Sequence, residues 1–222
     1  IDLTDNNRWI PLGETCAWCW QQGCMLQWIP QSDAQIVWND REQNHFVSHI
    51  LDVNTGDRHT LPYPIYTLSP DGKTALTTDF RRINDVRPGY GYSGIPDPNK
   101  DVLAPEDSGI WVIDLESSKS KLILSIHEVA AIPYPRKDIS GQKHYFNPLL
   151  FSPTGERFVF LHRWLKPTGG FETRMITAGL DGSDLHIIDD SGRTSHFYWR
   201  DADHILVFTQ PEGNSPGFYL RS

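Results

Sequence analysis

Short apolar runs broken by Pro, Gly, Asn and Asp fill this 222-residue chain, and that pattern predicts strands and turns rather than packed helices. Residues 144–164, HYFNPLLFSPTGERFVFLHRW, read as two strands joined by a Ser-Pro-Thr-Gly turn. The pattern recurs. CMLQWIPQSDAQIVWND predicts a strand, a Pro-Gln-Ser-Asp turn and a second strand, and HFVSHILDVNTGDRHTLP adds a third strand, an Asn-Thr-Gly turn and a short fourth. Gly56 suits that turn because glycine takes positive φ without a Cβ clash. IYTLSPDGKTALTTDF with GIWVIDLESSKSKLILSI repeats the unit, and NPLLFSPTGERFVFLHR with TRMITAGLDGSDLHIID repeats it again. SHFYWRDADHILVFTQ with GFYLRS begins a last one.

Pro30 and Pro70 are 40 residues apart and Pro70 and Pro153 are 83 apart, the excess being an insertion at about residues 81–106. A repeat of four short antiparallel strands at this period predicts an all-β fold, a β-propeller of four-stranded blades, as one domain over residues 1–222. One twisted sheet cannot bury both of its faces, whereas radial stacking buries each blade against the next. A sandwich or barrel leaves the recurring Ser-Pro-x-Gly turn unexplained. At the N-terminus, Asp-Leu-Thr-Asp-Asn-Asn predicts a turn leading into a strand with Trp9, Ile10 and Leu12. Counting that as a lone fourth strand gives three whole blades and three strands of another. The expectation is a four-bladed ring closed by pairing the termini, or part of a larger, for example seven-bladed, propeller with exposed edges. The insertion, RRINDVRPGYGYSGIPDPNKDVLAPEDSG, is too long for a hairpin and predicts an ordered excursion that carries contacts.

Composition adds limits. The formal net charge of -8 speaks against a general nucleic-acid binder, which needs basic residues for phosphate. No apolar run is long enough for a membrane-spanning helix. IDLTDNNRW has neither a basic nor an apolar leader region, so no signal peptide is read there, as would also hold for a processed chain. Cys16, Cys19 and Cys24 supply one C-x-x-C, half of the usual zinc set, and read as small buried residues of a Trp-rich strand.

The blades with LSPDGKTALTTDF and FSPTGERFVFLHRW resemble the TolB-like and WD40-like bacterial propellers. Within that group, HYFNPLLFSPTGERFVFLHRW followed by TSHFYWRDADHILVF is similar to the propeller polysaccharide lyases, the oligogalacturonate and ulvan lyases. The resemblance implies a site at one end of the central channel, where His, Tyr and Arg from neighbouring blades cleave a uronate-containing polysaccharide by β-elimination. The partner it implies is an acidic polysaccharide or oligosaccharide. In the oligogalacturonate branch, histidines and a glutamine hold a divalent metal. The closely spaced Gln/His cluster has no clear copy here, so no metal cofactor is expected.

Such an elimination takes the C5 proton onto a base, breaks the C4–O4 bond as the C4=C5 double bond forms, and returns a proton to O4. A cation must neutralise the carboxylate so that the enolate-like intermediate is reachable. Histidine and tyrosine suit the proton transfers, and arginine matches a carboxylate bidentately. His144 begins one strand and His162 ends its antiparallel partner, which brings both to one rim with Arg163 next to them. His196, Tyr198 and Arg200 alternate along the first strand of the following blade. The expected catalytic residues are therefore His144, His162 and Tyr198, facing one rim cavity with His196. The expected substrate contacts are Arg163, His196, Arg200, Asn39, Arg41, Arg87 and Tyr90. A rival for the two histidines is a structural hydrogen-bond network, as in WD40-type propellers. His45, His49, His59, His127 and His204 read as solvated. Trp38, Tyr145, Trp164 and Trp199 would either stack on sugars or pack between blades. A non-catalytic propeller that docks proteins or glycans is the rival function.

Overall fold

The computed structural model describes residues 3–222. Ile1 and Asp2, the latter part of the expected opening turn, lie outside them. The first blade is β1 (Gln27–Trp28), β2 (Gln35–Glu42), β3 (His45–Asp52) and β4 (Arg58–Leu61). The second is β5 (Thr67–Leu68), β6 (Thr74–Thr78), β7 (Gly109–Asp114) and β8 (Lys119–Ser125). The third is β9 (His144–Phe151), β10 (Arg157–Leu165), β11 (Phe171–Gly179) and β12 (His186–Gly192). The fourth has β13 (Ser195–Trp199), β14 (Ile205–Thr209) and β15 (Gly217–Arg221). In every sheet the strands pair antiparallel in chain order.

Successive sheets bury their faces on each other, as the repeat predicts. Val37 and Leu61 of the first meet Leu68, Ala75 and Ile113 of the second. Leu76, Ile110 and Leu124 of the second meet Phe146, Phe158 and Phe160 of the third. Val159, Leu161 and Met175 of the third meet Trp199, Ile205 and Val207 of the fourth. The recurring turn is also a blade-to-blade contact. A Cβ at Gly72 (φ 71°) would stand 2.2 Å from the Pro30 carbonyl oxygen of the preceding blade. One at Gly155 (φ 77°) would stand 3.2 Å from Pro70 Cδ. The glycine is thus required by positive φ and, at Gly72, by the stacked turn below it.

Three expectations are corrected. Residues 9–14 form no strand, and Trp9, Ile10 and Leu12 are exposed. Instead, residues 13–16 lie over the first blade: Trp38 Nε1 donates to the Glu14 carbonyl and Thr15 Oγ1 to the Asn39 carbonyl. The Cys segment is likewise not a strand, with only Cys19 of the three cysteines buried. Among the described residues no strand pairs with the free edge of β15, so these residues do not form a closed ring. Two short helices were also not foreseen, α1 (Phe80–Val86) opening the insertion and α2 (Ile126–Ala130) following β8. α2 carries a full capping box between Ser125 and Glu128. No helix among the described residues is long and apolar enough to cross a membrane.

Candidate functional site

A cavity of about 500 Å³ opens where the first strands of all four blades begin. Gln21 and Gln22 reach it ahead of β1, Tyr66 ahead of β5, Asn147 from β9, and Ser195, His196 and Tyr198 from β13. The insertion adds Arg87 and Tyr90, and the β10–β11 hairpin adds Arg163 and Phe171. Gln22 Nε2 donates to the Tyr66 hydroxyl and reaches Asn147 Oδ1 at 3.5 Å, joining three blades across the channel. Burial pushes the Tyr66 phenol well above its usual range, which keeps it a proton donor.

The electrostatics of the wall are one-sided. The Arg87 guanidinium lies 3.3 Å over the Tyr90 ring and 4.6 Å from the Phe171 ring, and Arg163 lies 4.8 Å from the same Phe171 ring. Two like charges are held against one aromatic ring. Neither arginine ion-pairs with a carboxylate among the described residues, and no Asp or Glu lines the cavity. Burial, and then Arg87, lower the Arg163 pKa, offset in part by Tyr145. The Tyr145 hydroxyl sits beside Arg163 without a well-formed hydrogen bond, and burial raises its pKa.

His144 and His162 do not face this cavity, which corrects their expected placement. Both are fully buried. The reason is the strand period of two. In β10, His162 and Trp164 point to one face and Arg163 to the other. Across the ladder His162 is opposite Phe146, Trp164 is opposite His144, and Arg163 is opposite Tyr145. So the two histidines share a face, while Arg163, Tyr145 and Asn147 share the one that reaches the channel side.

On the histidine face, residues 129–139 fold over the pair. Arg174 donates from Nη1 to the Ile132 and Pro133 carbonyls and from Nη2 to the Val129 carbonyl. Its Nε donates to His162 Nδ1 at 3.0 Å, the histidine rings bond through His162 Nε2 and His144 Nδ1 at 2.8 Å, and His144 Nε2 reaches the Ile139 carbonyl at 2.9 Å. The carbonyl can only accept and the guanidinium can only donate, which fixes every proton: both imidazoles are neutral with hydrogen on Nε2. Burial, followed by neighbouring arginines, lowers His144 to about 4, and burial with His144 and Arg174 holds His162 well below the ordinary value.

Below the unfolded histidine pKa of 6.5 the unfolded chain takes up protons that folded His144 refuses until about pH 4. Stability is therefore full above that window and lost as pH falls through it, by about 3 kcal/mol for His144 alone. Urea midpoints should drop steeply between about pH 6.5 and about pH 4, with a shallower fall in His144→Gln. An unchanged slope in that variant would remove the pair as the cause.

The remaining expected site residues divide. Arg163, His196, Tyr198, Arg87 and Tyr90 come together at the cavity. His196 is the extra residue of a bulge in β13, with φ 23°, and Tyr198 is 70% exposed beside it. Asn39 does not reach the site: it is fully buried, donating to the Ile65 carbonyl and the Tyr92 hydroxyl and accepting from the Ser48 hydroxyl and the Ile65 backbone N–H. Arg41 ties the first blade to the Ser93 carbonyl, and Arg200 pairs with Asp201, both away from the cavity lining. His49 is buried between Thr60 and Asp40 rather than solvated. Trp38, Tyr145, Trp164 and Trp199 are core. Sequence reading missed Gln22, Tyr66 and Asn147. Gln22 and Tyr66 precede β1 and β5 and Asn147 lies within β9, so only the assembled blades bring the three together.

No family model matches the sequence, and no curated protein matches it. Among solved structures, an oligogalacturonate lyase from Vibrio parahaemolyticus superposes with a TM-score of 0.56 at 12% identity, over 90% of this chain and 48% of that one. An oligogalacturonate lyase in complex with manganese gives 0.55 at 12%, over 88% and 48%. The acylaminoacyl peptidase of Pyrococcus horikoshii gives 0.52 at 14%, over 88% and 30%. The fold is a β-propeller. This chain spans less than half the length of each of these propeller proteins. Among its described residues no three His, Cys, Asp or Glu side chains converge as metal ligands.

Proposed function

We propose that the four-blade cavity binds the carboxylate of a uronate residue in an acidic oligosaccharide. The observation that carries this is charge: in a chain with net charge -8, the cavity wall holds two arginines and, among the described residues, no acid. An anionic ligand relieves the repulsion between Arg87 and Arg163, and a guanidinium offers a carboxylate two parallel N–H donors. The Gln22, Asn147 and Ser195 side chains suit sugar hydroxyls.

The chemistry we propose for this site is β-elimination. Neutralising the carboxylate is the arginines' part. His196 is the imidazole at the wall, suited to removing the C5 proton, and Tyr66 or Tyr198 is suited to protonating the departing O4. His144 and His162 act behind the wall, fixing the strand pair that presents Arg163 and Tyr145. A second reading, a non-catalytic glycan-binding propeller, is favoured by the enclosure of those two histidines, which leaves His196 as the one imidazole among the described residues at the cavity. Incubation with a panel of uronate polysaccharides, followed by absorbance of the unsaturated product, separates the two. Elimination predicts product from the native chain and a drop of roughly 100-fold or more in His196→Ala. Binding without product would leave the glycan-binding reading standing.

A further inference from the structure

Two exposed indoles stand on the turn that leads into the cavity-lining Gln21 and Gln22. Trp20 is 83% exposed and Trp18 is 50% exposed, with ring centroids 5.1 Å apart at 72°. Their turn is nevertheless tightly held. Cys19 and Gly23 exchange backbone hydrogen bonds, closing a short loop that presents Trp20, Gln21 and Gln22. Trp20 N–H donates to the Gly89 carbonyl at 3.0 Å, and the indole edge stands over Gly89, where a Cβ would meet it at 3.5 Å. Gly89 lies between Arg87 and Tyr90, and Gln21 and Gln22 follow Trp20, so both segments that fix this indole run directly into the cavity wall.

An exposed indole on a rigid backbone loses little entropy on binding and offers a flat apolar face. Pyranose rings present C–H faces that match it. We propose that Trp20, with Trp18 at right angles beside it, is a stacking subsite for the sugar residue next to the one whose carboxylate occupies the cavity. The site thereby selects oligosaccharides over a single uronate. This inference rests on the uronate reading of the cavity and adds a chain-length preference to it.

The test is calorimetric titration of the native protein, Trp20→Ala and Trp20→Phe with galacturonate and with trigalacturonate. Trp20 is on the surface, so folding is not at stake. Trp20→Ala should weaken the trisaccharide roughly tenfold and leave the monosaccharide unchanged, while Trp20→Phe keeps most of the trisaccharide affinity. Equal trisaccharide affinity in native and Trp20→Ala proteins overturns the subsite alone. Equal loss for both ligands also overturns it, because the indole would then be acting through the cavity. Failure of the native protein to bind either sugar overturns the cavity reading and the subsite with it.

Discussion

Arg82→Met will lower unfolding stability by about 3–5 kcal/mol, the largest effect expected of any single substitution outside the apolar core. Arg82 is 1% exposed and its five N–H groups meet five acceptors. Nε donates to the His144 carbonyl, Nη1 to Asp97 Oδ2 and the Asn99 carbonyl, and Nη2 to the Val102 and Leu103 carbonyls, all between 2.8 and 3.2 Å. Methionine fills the space and donates nothing, so it leaves four carbonyls and one buried carboxylate without their partner. Lysine restores the charge but not the fork and should recover only part of the loss. Because Asp97 is the charged partner, Arg82→Met with Asp97→Asn should cost less than the sum of the two. Denaturant midpoints with unchanged slope would measure all four variants, the Asp97→Asn single included. The effect reaches the site, since the segment this network pins to β9 carries Arg87 and Tyr90. A loss under about 1 kcal/mol would show that the insertion holds itself without Arg82.

Arg87→Gln will weaken trigalacturonate binding by roughly 10- to 100-fold while leaving the denaturation midpoint nearly unchanged. The asymmetry comes from burial. Arg87 is half-buried, stacked on Tyr90 and Phe171, and makes no ion pair among the described residues, so the fold loses little when it goes. Its removal also eases the repulsion on Arg163. A carboxylate ligand, by contrast, loses one of its two cationic partners. Calorimetry of native and Arg87→Gln proteins gives the comparison, and an unaffected affinity would move the carboxylate away from this wall.

The blade framework was legible because its signals are local. Alternating apolar residues and a Pro-Gly turn recur, and the turn proves doubly constrained, with Gly72 pressed against Pro30. The rim shared by His144, His162 and Arg163 was also legible from strand direction. Their separation onto two faces was legible in principle from the period of two, but grouping them by rim alone hid it. What could not be seen was the cover. The groups that enclose the histidine pair are backbone carbonyls at 129–139, and no side-chain pattern announces which distant carbonyls an arginine such as Arg174 will collect. His49 was misread for the same reason, since its burial depends on neighbours the strand pattern does not name. The cavity itself mixes both kinds of information: Arg87, Tyr90, Arg163, His196 and Tyr198 stood out as chemistry, whereas Gln22 and Tyr66 emerge only when the blades are set around one channel.

The central claim is that the channel cavity recognises a carboxylate through paired arginines. The most direct measurement titrates the native protein with trigalacturonate and with its fully methyl-esterified form, which has the same sugar chain without the charge. The account predicts that the acid binds roughly tenfold or more tightly than the ester, with a preference that shrinks as salt is raised. Equal affinity for the two forms at low salt would contradict it.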